Sequence, residues 1–349
     1  MAIRRSHLLL GLGLLVIVAY STWWWLTART LQARIDSWVA EERLAGALVA
    51  PDRFAVGGFP FAFSVSADGL SLKWPRGFGV AAQHVTVAAH PWSLLQFNVV
   101  ATHGFSLDLP AGTERPAYAL AGETLRGSTT FGDGDLPRDL KVTADSISVA
   151  EASTPSNSGD ERPEIVVATL ELSGSRPERP PATDTDIGLA FDVHAMSLSA
   201  ASLEGHPLGS TIADVALKAQ IMGSFPAMPD AKGLKTWRDA GGNIEITDLG
   251  LRWGPLAMSA KGTLALDAQM QPEGAFTAHM TGWDKTIDAL TAAGWIKLGP
   301  ASMAKLALGV VSQPDANGQA AADVPVTIQS RRISVGPLKL GSVPELKLD

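Results

Sequence analysis

Three histidines lie within twenty residues of one another and could bind a metal ion: His84, His90 and His103. Zinc in proteins takes three or four ligands at roughly 2 Å, so its ligands must meet at one point. His84 and His90 fall on the same side of one predicted strand, about 20 Å apart at ~3.3 Å per residue. His103 could approach either one from a neighbouring strand. We predict solvent-facing histidines, and we expect no metal or other cofactor.

An acidic loop carries three carboxylates in the pattern that calcium sites use: Asp133, Asp135 and Asp139. A helix–loop–helix calcium site also needs a third early ligand, a glycine at the sixth position and a closing glutamate. The loop has none of these. A polar turn is therefore the predicted structure.

Ser302 and Lys305 match the Ser-x-x-Lys pattern of serine acyltransferases. The Ser-Asp-Asn and Lys-Thr-Gly segments that work with it in such enzymes do not occur in the sequence, and neither does Gly-x-Ser-x-Gly. We interpret Ser302 instead as the N-cap of a helix. The chain has no cysteine, which excludes disulfides, thiolate catalysis and cysteine-bound metal clusters. We predict that the protein is not an enzyme.

Large aromatic side chains cluster at the ends of predicted strands, often beside proline or glycine. Such residues either seal the ends of a sheet or line an apolar groove that binds acyl chains, since exposed apolar surfaces mark binding sites. The candidate groove residues are Phe59, Phe61, Phe63, Trp74, Trp92 and Trp253.

An uncharged stretch from Leu8 to Leu26 precedes all of these residues. At ~1.5 Å per residue it spans roughly 28 Å as a helix, close to the ~30 Å hydrocarbon thickness of a bilayer. Arg4 and Arg5 precede it and Trp23, Trp24 and Trp25 close it, which predicts a cytoplasmic N-terminus and an opposite interface at the tryptophans. A signal peptide cleaved after Ser21 is the alternative. We predict an uncleaved single-pass anchor.

The rest of the chain is assigned to the far side of this membrane. Residues 1–7 form the tail, 8–26 the transmembrane anchor, 27–50 an amphipathic stalk helix and 51–349 a β-rich domain. This domain divides into candidate halves 51–225 and 240–349, with flexible loops at 151–164 and 174–186.

Apolar residues alternate with polar ones from Phe54 onward, which is typical of strands with one buried face. In the first such strand Phe59, Phe61, Phe63 and Val65 share a face. Helices are predicted at 283–296 and 301–311 as a hairpin, with inward stripes of Leu290, Ala293, Met303, Leu306 and Val310. The fold class is mainly β (β-rich α+β): an extended antiparallel sheet, sandwich or groove with a few short helices.

Composition narrows the function further. The 349 residues are 46% hydrophobic and carry a net charge of −7 without clusters of Lys or Arg. Nucleic-acid binding needs a basic patch, so we expect no nucleic-acid partner.

The segment Gly57-Gly-Phe-Pro-Phe-Ala-Phe63, together with Trp74-Pro75 and Ala89-His-Pro-Trp92, resembles an uncharacterised alphaproteobacterial family, domain of unknown function 2125. The likeness continues through the helical pair to Val335-Gly-Pro-Leu338. It implies a membrane-anchored periplasmic β protein and brings no catalytic residues. Ala62 stands where this family commonly has a basic residue, so an anion site there is not expected. The strand-Gly-Pro-strand pattern is also similar to AsmA-like envelope proteins, whose long sheets shelter lipid.

Two functional hypotheses follow. The first is a bacterial inner-membrane protein whose periplasmic bulk binds or shelters a hydrophobic ligand, plausibly a lipid, in cell-envelope maintenance. The alternative is a scaffold that pairs with an envelope protein through an apolar patch at a sheet edge or on the helical hairpin. The membrane itself is a partner in both.

Overall fold

The computed structural model describes residues 2–51, 53–112, 116–132, 136–151, 164–226, 230–315, 318–335 and 338–346, with side chains described from residue 11 onward except at 338 and 340. The chain forms two compact units. The first comprises Met1–Thr130 with Ala150–Gly159, and the second Phe131–Val149 with Asp160–Asp349. The division thus falls near residue 130, whereas the sequence placed candidate halves on either side of 225–240.

Helix α1 (Ala2–Leu44) runs without a break through both the apolar stretch and the segment expected to be a stalk. Gly46 ends it in the left-handed region, with φ of +89°, which glycine adopts without a steric penalty. The side chains from Leu12 to Val18 are mostly more than half exposed, as in a helix that has no protein packed around it. Among the described residues, α1 is the one helix long and apolar enough to cross a membrane.

The first unit is an antiparallel meander. Its strands are β1 (Leu48–Ala50), β2 (Ala55–Gly57), β3 (Phe63–Lys73), β4 (Gly79–His90), β5 (Ser93–Leu109), β6 (Tyr118–Gly122) and β7 (Thr124–Phe131). Strand β3 pairs with β1 and β2 along one edge and with β4 along the other, and β5 pairs with β4, β6 and β7.

Register gives this sheet one apolar face. Phe63 lies opposite Ala89, which lies opposite Phe97. The adjacent cross-strand row, which begins with Ser64, lies on the other face. The predicted alternation is therefore confirmed from Phe63 onward. The prediction that Phe59 and Phe61 continue the same strand is wrong, because residues 59–61 form a turn before β3.

The second unit continues with antiparallel strands and three helices. Its elements are β8 (Pro137–Glu151), β9 (Ile165–Ser175), β10 (Ile187–Ala200), β11 (Thr211–Met222), α2 (Ala231–Asp239), β12 (Ile244–Trp253), β13 (Leu256–Leu266), β14 (Pro272–Thr281), α3 (Trp283–Ala292), α4 (Leu298–Val311), β15 (Ser312–Pro314), β16 (Ala320–Gln329), β17 (Arg332–Val335) and β18 (Leu338–Ser342). A 3₁₀ turn occupies Ala201–Leu203.

One face of this second sheet is apolar across successive strands, because cross-strand neighbours point to the same side. One row across β8 to β12 is Val142, Leu172, Val193, Leu217 and Leu249. The adjacent row, on the opposite face, is Lys141, Ser173, Asp192, Lys218 and Asp248. The strand pattern of the sequence thus produces a two-sided sheet.

Helices α3 and α4 cover only the C-terminal part of this apolar face. Trp283 and Ile287 of α3 and Ala301 of α4 are buried against Ala278 and Ala322 of the sheet. The predicted inward stripe of α4 is wrong: Met303, Leu306 and Val310 are 68%, 65% and 79% exposed. Ala301 faces the sheet instead, because its small side chain lets α4 approach β14 and β16 closely. Helix α3 also ends at Ala292, short of the predicted residue 296.

The two predicted loops differ in what the structure describes. Most of the first, 152–163, lies outside the described residues. The second is shorter than predicted, since Gly174 and Ser175 belong to β9. Within it the Asp186 carboxylate accepts hydrogen bonds from the amides of Ala182 and Thr183, both at 2.9 Å. These bonds hold the pKa of Asp186 below its usual value.

Candidate functional site

The structure separates the three candidate histidines. His84 Nδ1 lies 2.6 Å from the Asp68 carboxylate, His90 stacks on Trp92 with ring centres 5.0 Å apart, and His103 Nδ1 lies 3.1 Å from its neighbour's hydroxyl. No group of three or more potential ligand side chains comes together among the described residues. Each histidine has a local role on the sheet surface.

The other polar candidates are also apart. Asp133 and Asp135 lie outside the described residues, and Asp139 forms an ion pair with Arg138 at 3.0 Å. Ser302 donates to the Leu298 carbonyl at 2.9 Å within α4, whereas Lys305 binds Asp288 at 2.6 Å. The interpretation of Ser302 as an N-cap is wrong, because α4 begins four residues earlier.

Four of the six candidate groove aromatics meet at one end of the first unit. Phe63 is buried and stacks on Trp24 of α1, with ring centres 5.4 Å apart and planes 8° apart. Phe59 meets the edge of the same indole at 5.3 Å. Phe61 and Trp92 are the most exposed, at 68% and 69%. Phe59 and Phe63 pack on Tyr20, Trp23 and Trp24 of α1, a contact that the sequence did not predict.

The remaining two candidates lie elsewhere. Trp74, at the other end of β3, donates its indole N–H to Glu42 of α1 at 2.9 Å. Trp253 belongs to the second unit, where its N–H binds the Gly209 carbonyl at 2.9 Å and its ring stacks on His206. The six residues therefore do not form one groove.

The structure describes the side chains of some of the predicted anchor residues and not of others. Arg4 and Arg5 lie in the first turns of α1, where side chains are not described. Trp23 and Trp25 are 43% and 47% exposed, and the Arg29 guanidinium lies 3.7 Å from the ring centre of Trp25. Trp24 points instead toward the sheet of the first unit.

A pocket of about 340 Å³ opens on the apolar face of the second unit, at one end of strands β8 to β10. This volume lies in the range of small-molecule sites, ~300–1,000 Å³. Register explains its composition, because Leu140, Gly174 and Phe191 form one cross-strand row and Leu172 and Val193 the next. Gly174 leaves space between its two larger neighbours.

Two arginines border this pocket. Arg138 binds Asp139 and Glu178, each at 3.0 Å, and its carbonyl accepts from the Arg176 amide at 2.7 Å. The site therefore combines an apolar floor with cationic groups at one end. The sequence did not lead to this pocket, because only aromatic residues at strand ends were considered as groove residues. The signal that could have found it is the alternation in β9 and β10, where Leu172, Phe191 and Val193 share one face.

A second pocket, of about 510 Å³, lies between α2 and the segment 181–184. Trp237 of α2 is 4% exposed there and donates its indole N–H to the Met222 carbonyl at 2.7 Å. Its lining includes Asp184, Asp230 and Lys232. The exposed lining of this pocket is more polar than that of the first, so it is less suited to a hydrocarbon chain.

The polar face of the second unit carries a charge network. The Asp214 carboxylate accepts from His194 at 2.8 Å and from Arg252 at 3.3 Å. The hydrogen bond from His194 first, and the one from Arg252 next, hold the pKa of Asp214 below its usual value of 3.8. This network braces β10, β11 and β12 on the side away from the pocket.

Comparison with known proteins identifies a family. The family model described as "Uncharacterized protein conserved in bacteria (DUF2125)" matches residues 24–344, nearly the whole chain. No curated protein and no solved structure matches the chain. The likeness to AsmA-like proteins therefore stays an expectation based on strand pattern.

Proposed function

We propose that this chain, which belongs to the DUF2125 family of bacterial proteins, is a membrane-anchored, non-enzymatic protein that binds the hydrocarbon part of a lipid. The observation that carries this proposal is the apolar pocket on β8 to β10. In that part of the sheet the face-sharing side chains Leu172, Phe191 and Val193 stay partly exposed, while α3 and α4 cover β13, β14 and β16.

A bound hydrocarbon chain would cover the apolar side chains that this face leaves partly exposed. Each methylene removed from water contributes ~0.8 kcal/mol, so a chain of about ten methylenes would gain roughly 8 kcal/mol before its ordering cost. Arg176 at the pocket's end suits an anionic or zwitterionic headgroup, since guanidinium groups bind phosphate and carboxylate oxygens, whereas Arg138 already binds Asp139 and Glu178. A phospholipid or fatty acid combines both chemistries.

Helix α1 supports a location of this lipid binding at a membrane. Its exposed apolar side chains suit a bilayer, and the tryptophans after the span suit the outer interface. Basic residues at the start of α1 favour a cytoplasmic N-terminus. On this basis we place the chain in the bacterial inner membrane with residues 51–349 in the periplasm, where it would serve cell-envelope maintenance.

Photo-crosslinking in living membranes tests lipid binding on the full chain. A photoreactive amino acid at Phe191 points into the pocket. The same amino acid at Lys218, which is exposed on the opposite face of the sheet and does not line the pocket, is the matched control. We expect lipid adducts at 191 and none at 218 by mass spectrometry of the purified protein. Equal labelling at both positions, or none at 191, would refute the proposal.

One observation favours the second function, a scaffold that binds an envelope protein. Helix α4 exposes Leu298, Met303, Leu306 and Val310 along its outer side. Exposed apolar patches of this kind mark protein interfaces. A photoreactive residue at Leu306 that captures one defined protein, with none captured from Lys218, would support the scaffold.

A further inference from the structure

Two neighbouring segments at one end of the first unit expose apolar side chains, and the first of them contacts the N-terminal helix. We call them the aromatic tip: the turn 58–62, with Phe59 and Phe61, and residues 91–95, where a turn leads into β5, with Trp92, Leu94 and Leu95. These five side chains are 53%, 68%, 69%, 47% and 57% exposed, respectively. The two segments contain no Asp, Glu, Lys or Arg. Such a surface is costly in water.

The backbone of the first turn is satisfied by side chains. The carbonyl of Pro60 accepts from the Tyr20 hydroxyl, that of Ala62 from the Trp24 indole at 3.1 Å, and that of Phe61 from His90 Nδ1 at 3.0 Å. Three successive carbonyls thus have donors from the protein. A loop that stays in water does not need this, whereas one placed in lipid must satisfy its polar backbone internally.

The same contacts fix the depth of the tip. Tyr20 and Trp24 belong to the last two turns of the apolar stretch, where a spanning helix leaves the hydrocarbon. At the other end of β3, Trp74 binds Glu42, which lies eighteen residues further along α1, about 27 Å at ~1.5 Å per residue. Strand β3 therefore runs alongside α1 in the same direction, away from the membrane, with the tip at its base.

We infer that the aromatic tip is inserted into the outer interface of the bilayer that α1 spans. This inference rests on the membrane placement in the proposed function and not on lipid binding in the pocket. The tip lies on the helix at the level of Trp23 and Trp25, and aromatic side chains favour that interface. An uncharged apolar surface at this depth typically buries ~5–10 Å into the headgroup and acyl boundary. The occupant is thus bulk lipid, which holds the first unit at a fixed orientation.

Depth-dependent fluorescence quenching tests this inference in the full chain. Because the sequence has no cysteine, each introduced cysteine takes a single environment-sensitive label. The variants F61C and W92C label the tip, I17C labels the middle of the span, and R76C labels the exposed turn after Trp74. Each protein is reconstituted in phosphatidylethanolamine–phosphatidylglycerol vesicles that contain phospholipid spin-labelled either near the headgroup or near the chain end.

We expect the labels at 61 and 92 to lose fluorescence, more with the shallow spin label than with the deep one. The label at 17 should show the reverse preference, and the label at 76 should keep its intensity. L95C gives a further labelling site in residues 91–95 if the circular dichroism spectrum shows that either tip variant does not fold.

Tip labels that behave like the label at 76, while that at 17 is quenched, would overturn the inference. An unquenched label at 17 would overturn both the inference and the membrane placement on which it rests. Neither result would bear on lipid adducts at Phe191, so the two proposals fail separately.

Discussion

Replacement of Trp24 by alanine should release the turn 58–62 from α1. The indole donates to the Ala62 carbonyl, stacks on Phe63 and meets the edge of Phe59. The Ala62 carbonyl is part-buried, so the loss of its donor should cost ~1 kcal/mol, the low end for an orphaned group. The two aromatic pairs add about 2 kcal/mol, at ~0.5–1.5 kcal/mol each. The sum of about 3 kcal/mol corresponds to about a hundredfold change in the opening equilibrium, at ~1.4 kcal/mol per factor of ten.

Amide hydrogen exchange measures that opening directly. The amide of Ala62 donates to the Gly58 carbonyl at 2.9 Å and reports on the turn. In detergent micelles its exchange in Trp24→Ala should be faster by about the hundredfold estimated above. Trp24→Phe keeps an aromatic ring but loses the donor, so its effect should be intermediate.

Trp25→Ala is the matched control, since its ring is 47% exposed and faces Arg29. Exchange at Ala62 should not change in this variant. If Trp24→Ala and Trp25→Ala gave the same exchange rate at Ala62, the turn would not be held by Trp24 and the geometry of the aromatic tip would lose its support.

Three further predictions concern the second unit. Trp237→Phe removes the donor to the Met222 carbonyl and should lower the free energy of unfolding by ~1–3 kcal/mol in chemical denaturation. Gly262→Ala should destabilise by ~1–3 kcal/mol, because its Cβ would lie 2.1 Å from the Ala275 carbonyl oxygen, whereas Gly250→Ala, with 3.4 Å of space, should melt within a few degrees of wild type. Asp214 has a folded-state pKa below its usual 3.8, so its contribution to stability is present above that value and lost as the pH falls through the lower folded-state pKa. Asp214→Asn should therefore be less stable than wild type at neutral pH, with a difference that shrinks in acid; a pH-independent difference in unfolding midpoint would contradict this.

The two proposed lipid contacts differ in kind. At the aromatic tip the side chains are bulky and exposed, and the tip contacts α1, which suits an interface with many lipids. At the pocket a glycine between leucine and phenylalanine leaves a space of about 340 Å³, which suits one hydrocarbon chain. The absence of an enzymatic activity stays a prediction from the sequence.

Local sequence pattern was enough to predict most strands and the long apolar helix at the N-terminus. Alternation places Val142, Leu172 and Val193 on one face whatever the neighbours are, because the side-chain period of a strand is two. An uncharged stretch the length of a bilayer has one compatible structure, the helix, so the apolar part of α1 followed from composition and length.

The buried side of helix α4 and the contacts between distant segments could be read only from the tertiary structure. Helix α4 is apolar on all sides, so its periodicity could not select between Met303 and Ala301, and the selection came from close packing on Ala278 and Ala322. Phe59 and Phe61 fit a strand pattern as well as a turn, and contacts with Tyr20 and Trp24, about forty residues away, placed them. Local patterns specify local conformation, but which surfaces meet depends on residues distant in the chain, and a single sequence does not record those pairings.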